Sequence, residues 1–425
     1  MVLAAALATG VPPLVPAQAD PAAGTAPAAS RPTVDPTAPT PTAPRTGPPP
    51  RGSAPDGSTV GGDRLRTRGV VVAADAPPLP DGIAASGWLV ADAGTGAVLG
   101  ARDPHGRYYP ASTLKTLTLL TLVPRLDPAL VVEGTVADEH IEGSRVGLVA
   151  GGRYPVPLLF TALMLQSGND AASALARAAG GQEATVAAMN RTAVEMGAFD
   201  TVAGTPSGLD VAGQSTSPYD LALFFRALVE DPVTAEVLRT PIADMPAVEG
   251  RGPGFQNQNP LLRSYPGNLG GKTGFTDAAR HAFVTAAERD GRRLVVSVLD
   301  TENVPLRAAD QAARLLDWGF AVAPTGTGVG RLVRPADLVA APTTPGTTPQ
   351  ALAPPGTAAA PVDASPVADP AGRPWTAVAV TVIALAVLGA VSAMLRGRRR
   401  ARPTPPAPAP GRRPPPPGRW RSRRR

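Results

Sequence analysis

The 425-residue chain contains no cysteine, three histidines (His105, His140, His281) and two lysines, Lys115 and Lys272, beside 38 arginines. The missing cysteine excludes a disulfide framework, a thiol nucleophile and a cysteine-ligated metal. No two histidines are closely spaced, so the H-E-x-x-H arrangement of helical zinc hydrolases is absent. No G-x-S-x-G elbow occurs, which argues against an α/β-hydrolase triad. The scarcity of lysine is the most informative of these gaps. Arginine stays protonated in any protein site, whereas lysine can lose its proton when buried or placed near another cation. A chain that uses arginine almost everywhere and keeps lysine twice points to those two positions as places where an amine does chemistry.

The net charge of +6 is unevenly placed. Residues 396–425 carry 12 arginines and no acidic residue, which leaves −6 for everything before them. The body has no basic surplus, and no nucleic-acid partner is expected.

Residues 20–80 and 326–374 are rich in Pro, Ala, Thr and Gly without a regular apolar pattern. Both are expected to be extended and unstructured, the second as a stalk. The stretch between them, 81–325, leaves about 240 residues, enough for one large core. Trp375 to Leu395 is a run of 21 residues without a charge. At about 1.5 Å per residue it can cross about 30 Å of hydrocarbon. Arg396, Arg398, Arg399 and Arg400 follow at once. The positive-inside rule then makes 375–395 a transmembrane helix, 396–425 a cytoplasmic tail and the rest extracytoplasmic. Residues 1–19 are apolar and Ala17-Gln18-Ala19 resembles a signal-peptidase site, but the basic start of such a leader is missing. They are read as a truncated signal peptide. The expected location is the cell membrane, crossed once.

Within the middle stretch, Trp88 to Ala91 and Ala97 to Leu99 flank a glycine-bearing turn and predict a hairpin. An apolar stretch from Ala111 to Val123, stopped by Pro124, predicts a buried helix. Further helices are predicted through Leu158 to Leu165 after Pro157, over 171–179, 184–196 and 218–229. His281 to Ala287 and Leu294 to Leu299 flank Asp290-Gly291, a strong hairpin signal, and a last helix is expected from about Leu306 to Trp318. Strands, a helical block, strands and a helix in that order imply an α+β domain whose sheet is built from both ends of the segment.

Ser112 and Lys115 are three apart, so on a helix they share one face. Ser112 falls near the helix start, where backbone N–H groups are unpaired and the dipole favours negative charge. Serine is a poor nucleophile until a base takes its proton, and Lys115 can do so if burial or a second cation lowers its pKa. Lys272 can be that cation. The structural alternative, a capping serine beside a solvated lysine, conflicts with the apolar surroundings. Ser167-Gly168-Asn169 reads both as a helix end with the cap of the next helix and as a proton-relaying hydroxyl with a carbonyl-orienting amide. Lys272 and Thr273 can bind a carboxylate, with Gly274 allowing close approach to the backbone; the alternative is an ordinary turn before an edge strand. Each motif is common by itself, but their order and separation, with lysine found nowhere else, make the set specific.

With Pro110-Ala111-Ser112-Thr113, Ser167-Gly168-Asn169-Asp170-Ala171-Ala172, Met189-Asn190, Pro206-Ser207-Gly208-Leu209-Asp210 and Gly271-Lys272-Thr273-Gly274-Phe275-Thr276, the chain resembles the active-site-serine penicillin-recognising enzymes. It is most similar to the low-molecular-mass D-Ala-D-Ala carboxypeptidases, over roughly Ala85 to Phe320. The resemblance implies a β-lactamase/penicillin-binding-protein-like α+β fold for 81–325: a five-stranded antiparallel sheet with helices on both faces and an inserted helical subdomain. It implies Ser112 as nucleophile, Lys115 as its base, and Ser167 with Asn169 as the second motif. Lys272 would supply a standing positive charge, and Thr273 would bind the substrate's terminal carboxylate. The N–H groups of Ser112 and Phe275 would form the oxyanion hole, next to Gly274. The implied substrates are peptidoglycan stem peptides ending in D-Ala-D-Ala, with β-lactam antibiotics as covalent inhibitors and no cofactor. A D,D-transpeptidase or endopeptidase shares these parts. So does a serine β-lactamase, for which Glu183 and Glu195 are the available deacylating carboxylates. A cell-wall-binding sensor is the non-enzymatic alternative. Pro206 to Asp210 and Met189-Asn190 are read as structural. One departure is that the chain passes quickly after Phe320 into proline-rich sequence, where many relatives carry a further β-rich domain and an amphipathic anchor.

Overall fold

The chain joins its sheet earlier than its composition indicates. The computed structural model describes residues 52, 54, 56–247, 252, 254–324 and 328–338. In it, strand β1 (Val70–Val72) already pairs with the far edge of the first predicted hairpin, β2 (Gly87–Asp92) and β3 (Ala97–Arg102). Val60 and Leu65, 3% and 0% exposed, belong to the main core. The segment that follows is tied down where Trp318 Nε1 donates to Pro77 O at 2.8 Å. The expectation of an unstructured 20–80 is therefore corrected for residues 56–80. A similar correction applies at the other end, where β11 (Gly330–Arg331) pairs with Val98 and Ala97 inside the stretch read as stalk. Strands of two or three residues show no readable alternation. They are held by backbone pairing to an existing edge, not by a core of their own. The leader at 1–19, the span at 375–395 and the tail at 396–425 lie outside the described residues, and among those described no helix is long and apolar enough to cross a membrane.

Between β3 and the returning strands lies the helical block. It contains α1 (Lys115–Leu122), the small hairpin β4 (Val131–Glu133) and β5 (Arg153–Pro155), and the single turn α2 (Val136–Glu139). Then come α3 (Val156–Leu165), α4 (Asn169–Ala178), α5 (Gln182–Glu195), α6 (Pro218–Glu230) and α7 (Pro232–Arg239). A second small hairpin, β6 (Ile242–Asp244) and β7 (Gly254–Gln256), and the turn α8 (Leu261–Ser264) lead back to the sheet. Prolines open α3, α6 and α7, where a missing N–H costs nothing because the first turn leaves its N–H groups unpaired anyway.

The sheet is completed by β8 (Asn268–Thr276), β9 (Arg280–Arg289) and β10 (Arg292–Thr301), and α9 (Ala308–Ala321) follows. Asp290 and Gly291, with φ of 50° and 75°, supply the left-handed pair that a two-residue hairpin turn requires. The five long strands run β3-β2-β10-β9-β8, all antiparallel, as the resemblance implies. β1 and β11 extend the β3 edge end to end.

Alternation along these strands sends Leu89, Ala91, Val284, Ala286, Val295 and Leu299 into the core shared with the helical block. Trp88, Val90, Phe283, Leu294, Val296 and Val298 go into a second core under α9. Both faces are covered, so the strands read as nearly continuous apolar runs. Tyr219, Phe224 and Phe225 on α6 are all fully buried because that helix lies between the sheet and α1. Buried His105 fastens the N-terminal segment, with Nδ1 2.8 Å from Asp200 Oδ2 and Nε2 3.1 Å from Val60 O.

Candidate active site

The site is built where the start of α1 meets the edge strand β8. Residues Ala111–Leu114 form a turn of 3₁₀ helix that runs into α1, not the α-helical start the sequence suggests. In a 3₁₀ turn residues i and i+3 eclipse. This stacks Ser112 and Lys115, and Lys115 Nζ lies 3.0 Å from Ser112 Oγ. Three threonines of this apolar stretch donate their hydroxyls to carbonyls: Thr113 to Pro110 at 2.5 Å, Thr116 to Thr113 at 2.7 Å and Thr118 to Pro206 at 2.7 Å.

Gly208 fixes the turn from the other side. Its φ is 85°, and a Cβ there would lie 1.9 Å from Ala111 O. We expect Gly208→Ala to destabilise the fold by about 1–2 kcal/mol from the left-handed backbone alone, with the clash in addition, and to slow acylation by moving Ser112. Urea unfolding and adduct-formation rates check this; wild-type values for both would show that the turn does not depend on Gly208.

Lys115 is completely buried, and its amine also reaches Asn169 Oδ1 at 2.7 Å and Ser207 O at 2.6 Å. Burial first, and the Lys272 charge second, hold it well below the usual lysine range; the Asp170 carboxylate opposes them. These neighbours suit the neutral form that a base requires. The Asn169 and Ser207 oxygens are acceptors only, so they take two N–H bonds, whereas a serine hydroxyl can donate as well as accept. A neutral amine has two N–H donors and one lone pair. With both donors engaged, the lone pair is left for the Ser112 hydroxyl.

The orientation of the Asn169 amide is fixed by its other end, because Nδ2 donates to Glu142 O at 2.7 Å. Ser167 adopts a left-handed φ of 63°, and its Oγ is buried without a hydrogen-bond partner among the described residues. The second motif thus occupies the loop between α3 and α4. Asn169 is the first residue of α4 and not its side-chain cap.

Lys272, Thr273, Gly274 and Phe275 lie within β8, not in a turn before a strand, and β8 is the terminal strand of the sheet. A Cβ on Gly274 would lie 3.0 Å from Ser112 N and 3.1 Å from Thr113 N, so only glycine lets the strand pass this close to the serine. Lys272 is buried, donates to Thr273 O at 2.7 Å and is pushed by burial down to about 7. An anion nearby would raise the Lys272 pKa again and favour the charged form. The Phe275 ring is half exposed and packs on His281, with centroids 4.5 Å apart.

All eight expected positions thus lie on the turn before α1 and the first residue of α1, the α3–α4 loop and the first residue of α4, and β8. Hydrogen bonds join Ser112, Lys115 and Asn169, and Gly274 abuts Ser112. Ser167 and the Lys272 amine make no hydrogen bond to the other expected side chains. Sequence reading missed the Ser207 carbonyl and the Glu142 carbonyl, because any residue type can supply a carbonyl; the left-handed Gly208 was the only nearby signal. Glu183 and Glu195 are exposed on α5. A separate cleft of about 790 Å³ opens between the β2–β3 and β9–β10 turns. Its charges are paired, Arg292 with Asp92 at 3.0 Å and Arg293 with Glu288 at 2.9 Å.

Comparison with known proteins gives the same answer as the geometry. A family model described as D-alanyl-D-alanine carboxypeptidase, peptidase S11, matches residues 71–303. The chain is 45% identical over 267 residues to the D-alanyl-D-alanine carboxypeptidase DacB2 of Mycobacterium tuberculosis, covering 62% of this chain and 90% of that protein. A crystal structure of D-alanyl-D-alanine carboxypeptidase from M. tuberculosis H37Rv superposes with a TM-score of 0.59 at 44% identity, over 62% of this chain and all of that one. The Streptomyces K15 DD-transpeptidase gives 0.53 at 28% identity, over 58% of this chain and all of that one. The match begins at the strand β1 that composition concealed and includes every residue that surrounds Ser112. On sequence and fold together, the chain belongs to the D-alanyl-D-alanine carboxypeptidase family of serine peptidases.

Proposed function

We propose that this hydrolase removes the terminal D-alanine from peptidoglycan stem peptides through an acyl-enzyme on Ser112. The observation that carries the assignment is the buried Lys115 amine, 3.0 Å from Ser112 Oγ and also in contact with Asn169 Oδ1 and Ser207 O. Ser112 Oγ attacks the carbonyl between the two D-alanines, and Lys115 takes its proton. The N–H groups of Ser112 and Phe275 receive the oxyanion, placed together by the contact at Gly274. Asn169 orients the substrate, and Ser167 passes a proton to the departing amine. Lys272 and Thr273 bind the terminal carboxylate, and that anion raises the pKa of Lys272 and secures its charge. D-alanine leaves, and water releases the shortened peptide. β-Lactams would acylate the same oxygen.

A transpeptidase reading rests on one observation, the likeness to the Streptomyces K15 DD-transpeptidase. The two reactions differ only in the acceptor. We expect free D-alanine and the shortened peptide from a peptide ending in D-Ala-D-Ala, even with an added amino-acid acceptor. A product joined to the acceptor, without free shortened peptide, would transfer the assignment to the transpeptidase. The exposure of Glu183 and Glu195 counts against a β-lactamase that deacylates through either one. We further propose that the uncharged run at 375–395 anchors the enzyme in the membrane with the 396–425 tail cytoplasmic, supported by the arginines directly after the run. Protease protection of the tail in right-side-out vesicles tests this; digestion of an intact tail from outside would reverse the orientation.

A further inference from the structure

Asp170 is fully buried one residue after the catalytic amide, and the mechanism above gives it no part. Its carboxylate accepts from Val146 N at 3.0 Å, Gly147 N at 2.8 Å, Leu148 N at 3.1 Å and Ala171 N at 2.9 Å. Four N–H groups converging on one carboxylate is a strong, charge-assisted arrangement. Three of them belong to a single loop that is otherwise largely exposed between residues 142 and 147. The same loop returns to the site. Asn169 N donates to Ser144 O at 2.7 Å, and Asn169 Nδ2 donates to Glu142 O at 2.7 Å. Gly143 packs so closely that a Cβ there would lie 2.7 Å from Asn169 Nδ2.

We propose that Asp170 and the loop it anchors are the positioning device of the general base. The carboxylate fixes residues 146–148, and the loop carbonyls hold the Asn169 amide with its oxygen toward Lys115. If the amide turned over, its NH₂ would face the Lys115 amine and compete for the lone pair that should face Ser112. Asp170 is a positioning residue, because it touches neither substrate nor serine. The inference rests on the assignment of Lys115 as base.

The electrostatics provide a readout that a merely structural role would not move. The charged groups acting on Lys115 are Lys272 from β8, which lowers its pKa, and Asp170 from α4, which raises it. Asp170→Asn removes the opposing negative charge, so Lys115 should lose its proton at lower pH. The second-order rate of penicillin adduct formation on the full-length protein is measured from pH 5 to 9 for wild type, Asp170→Asn and Gly143→Ala. Asp170→Asn should lower the maximal rate by about 100-fold, the cost of a displacement near 1 Å, and shift the acid limb to lower pH. Gly143→Ala changes an exposed loop position and no charge, but its φ of 84° strains any residue other than glycine, so urea unfolding is measured beside the rate to confirm a folded variant. The substitution should lower the rate by about 10-fold or more with the acid limb in place. A wild-type rate in Gly143→Ala, or an unmoved acid limb in folded Asp170→Asn, would overturn the proposal. Absence of any adduct in the wild-type protein would instead overturn the assignment of Ser112 and Lys115.

Discussion

Ser112→Ala should abolish covalent penicillin labelling outright and reduce D-alanine release by about 10⁴-fold or more. The expectation is this large because the substitution removes the atom that forms the new bond, and no other hydroxyl is placed to replace it. Thr113 and Thr116 return their hydroxyls to carbonyls of the same helix, and Thr118 gives its hydroxyl to Pro206. Ser167 Oγ is buried without a hydrogen-bond partner among the described residues, so no base is placed to take its proton. The fold should be unaffected, because the Ser112 side chain is partly exposed and bonded only to Lys115. Intact-protein mass measurement after penicillin treatment checks both points. An adduct of undiminished yield in Ser112→Ala would assign the nucleophile elsewhere.

Lys115→Arg should slow acylation by about 10²–10⁴-fold, the range that a positioned base contributes. Arginine keeps the charge but does not give up its proton, and its planar head has no lone pair to offer Ser112. It must also fit where a single nitrogen now meets three oxygens without solvent. The pH dependence follows with a definite sign. On the acid side acylation falls as Lys115 gains a proton, because the base is lost. On the alkaline side it falls through about pH 7 as Lys272 loses its proton, because the charge that attracts the substrate carboxylate is lost. Substrate binding should push that second limb upward, so single-turnover rates at saturating peptide should keep their plateau to higher pH than the second-order rate constant does.

Much of this was legible in the chain. Lysine kept only at positions 115 and 272 identified the site, because lysine, unlike the arginine used everywhere else, can also serve as a neutral amine. The two main hairpins announced themselves through glycine-bearing turns, and β9 and β10 read as long apolar runs because both of their faces are covered. What escaped did so for three physical reasons. β1 and β11 are too short to show a period and depend on the edge of β3. The carbonyls of Ser207 and Glu142 act through backbone atoms that leave no mark in residue identity. Asp170 escaped for a third reason: a carboxylate beside a helix start reads as a cap, and only the return of the 142–148 loop shows what it holds.

The central claim is that Lys115 is a neutral amine when it meets Ser112. Because the whole chain has two lysines, protein labelled with ¹³C,¹⁵N-lysine gives one side-chain signal set from each, and Lys115→Arg assigns them. The account predicts that the Lys115 signal titrates well below the ordinary lysine value of about 10.4, with Lys272 titrating near 7. A Lys115 signal that stays that of an ammonium up to the ordinary lysine value would contradict it.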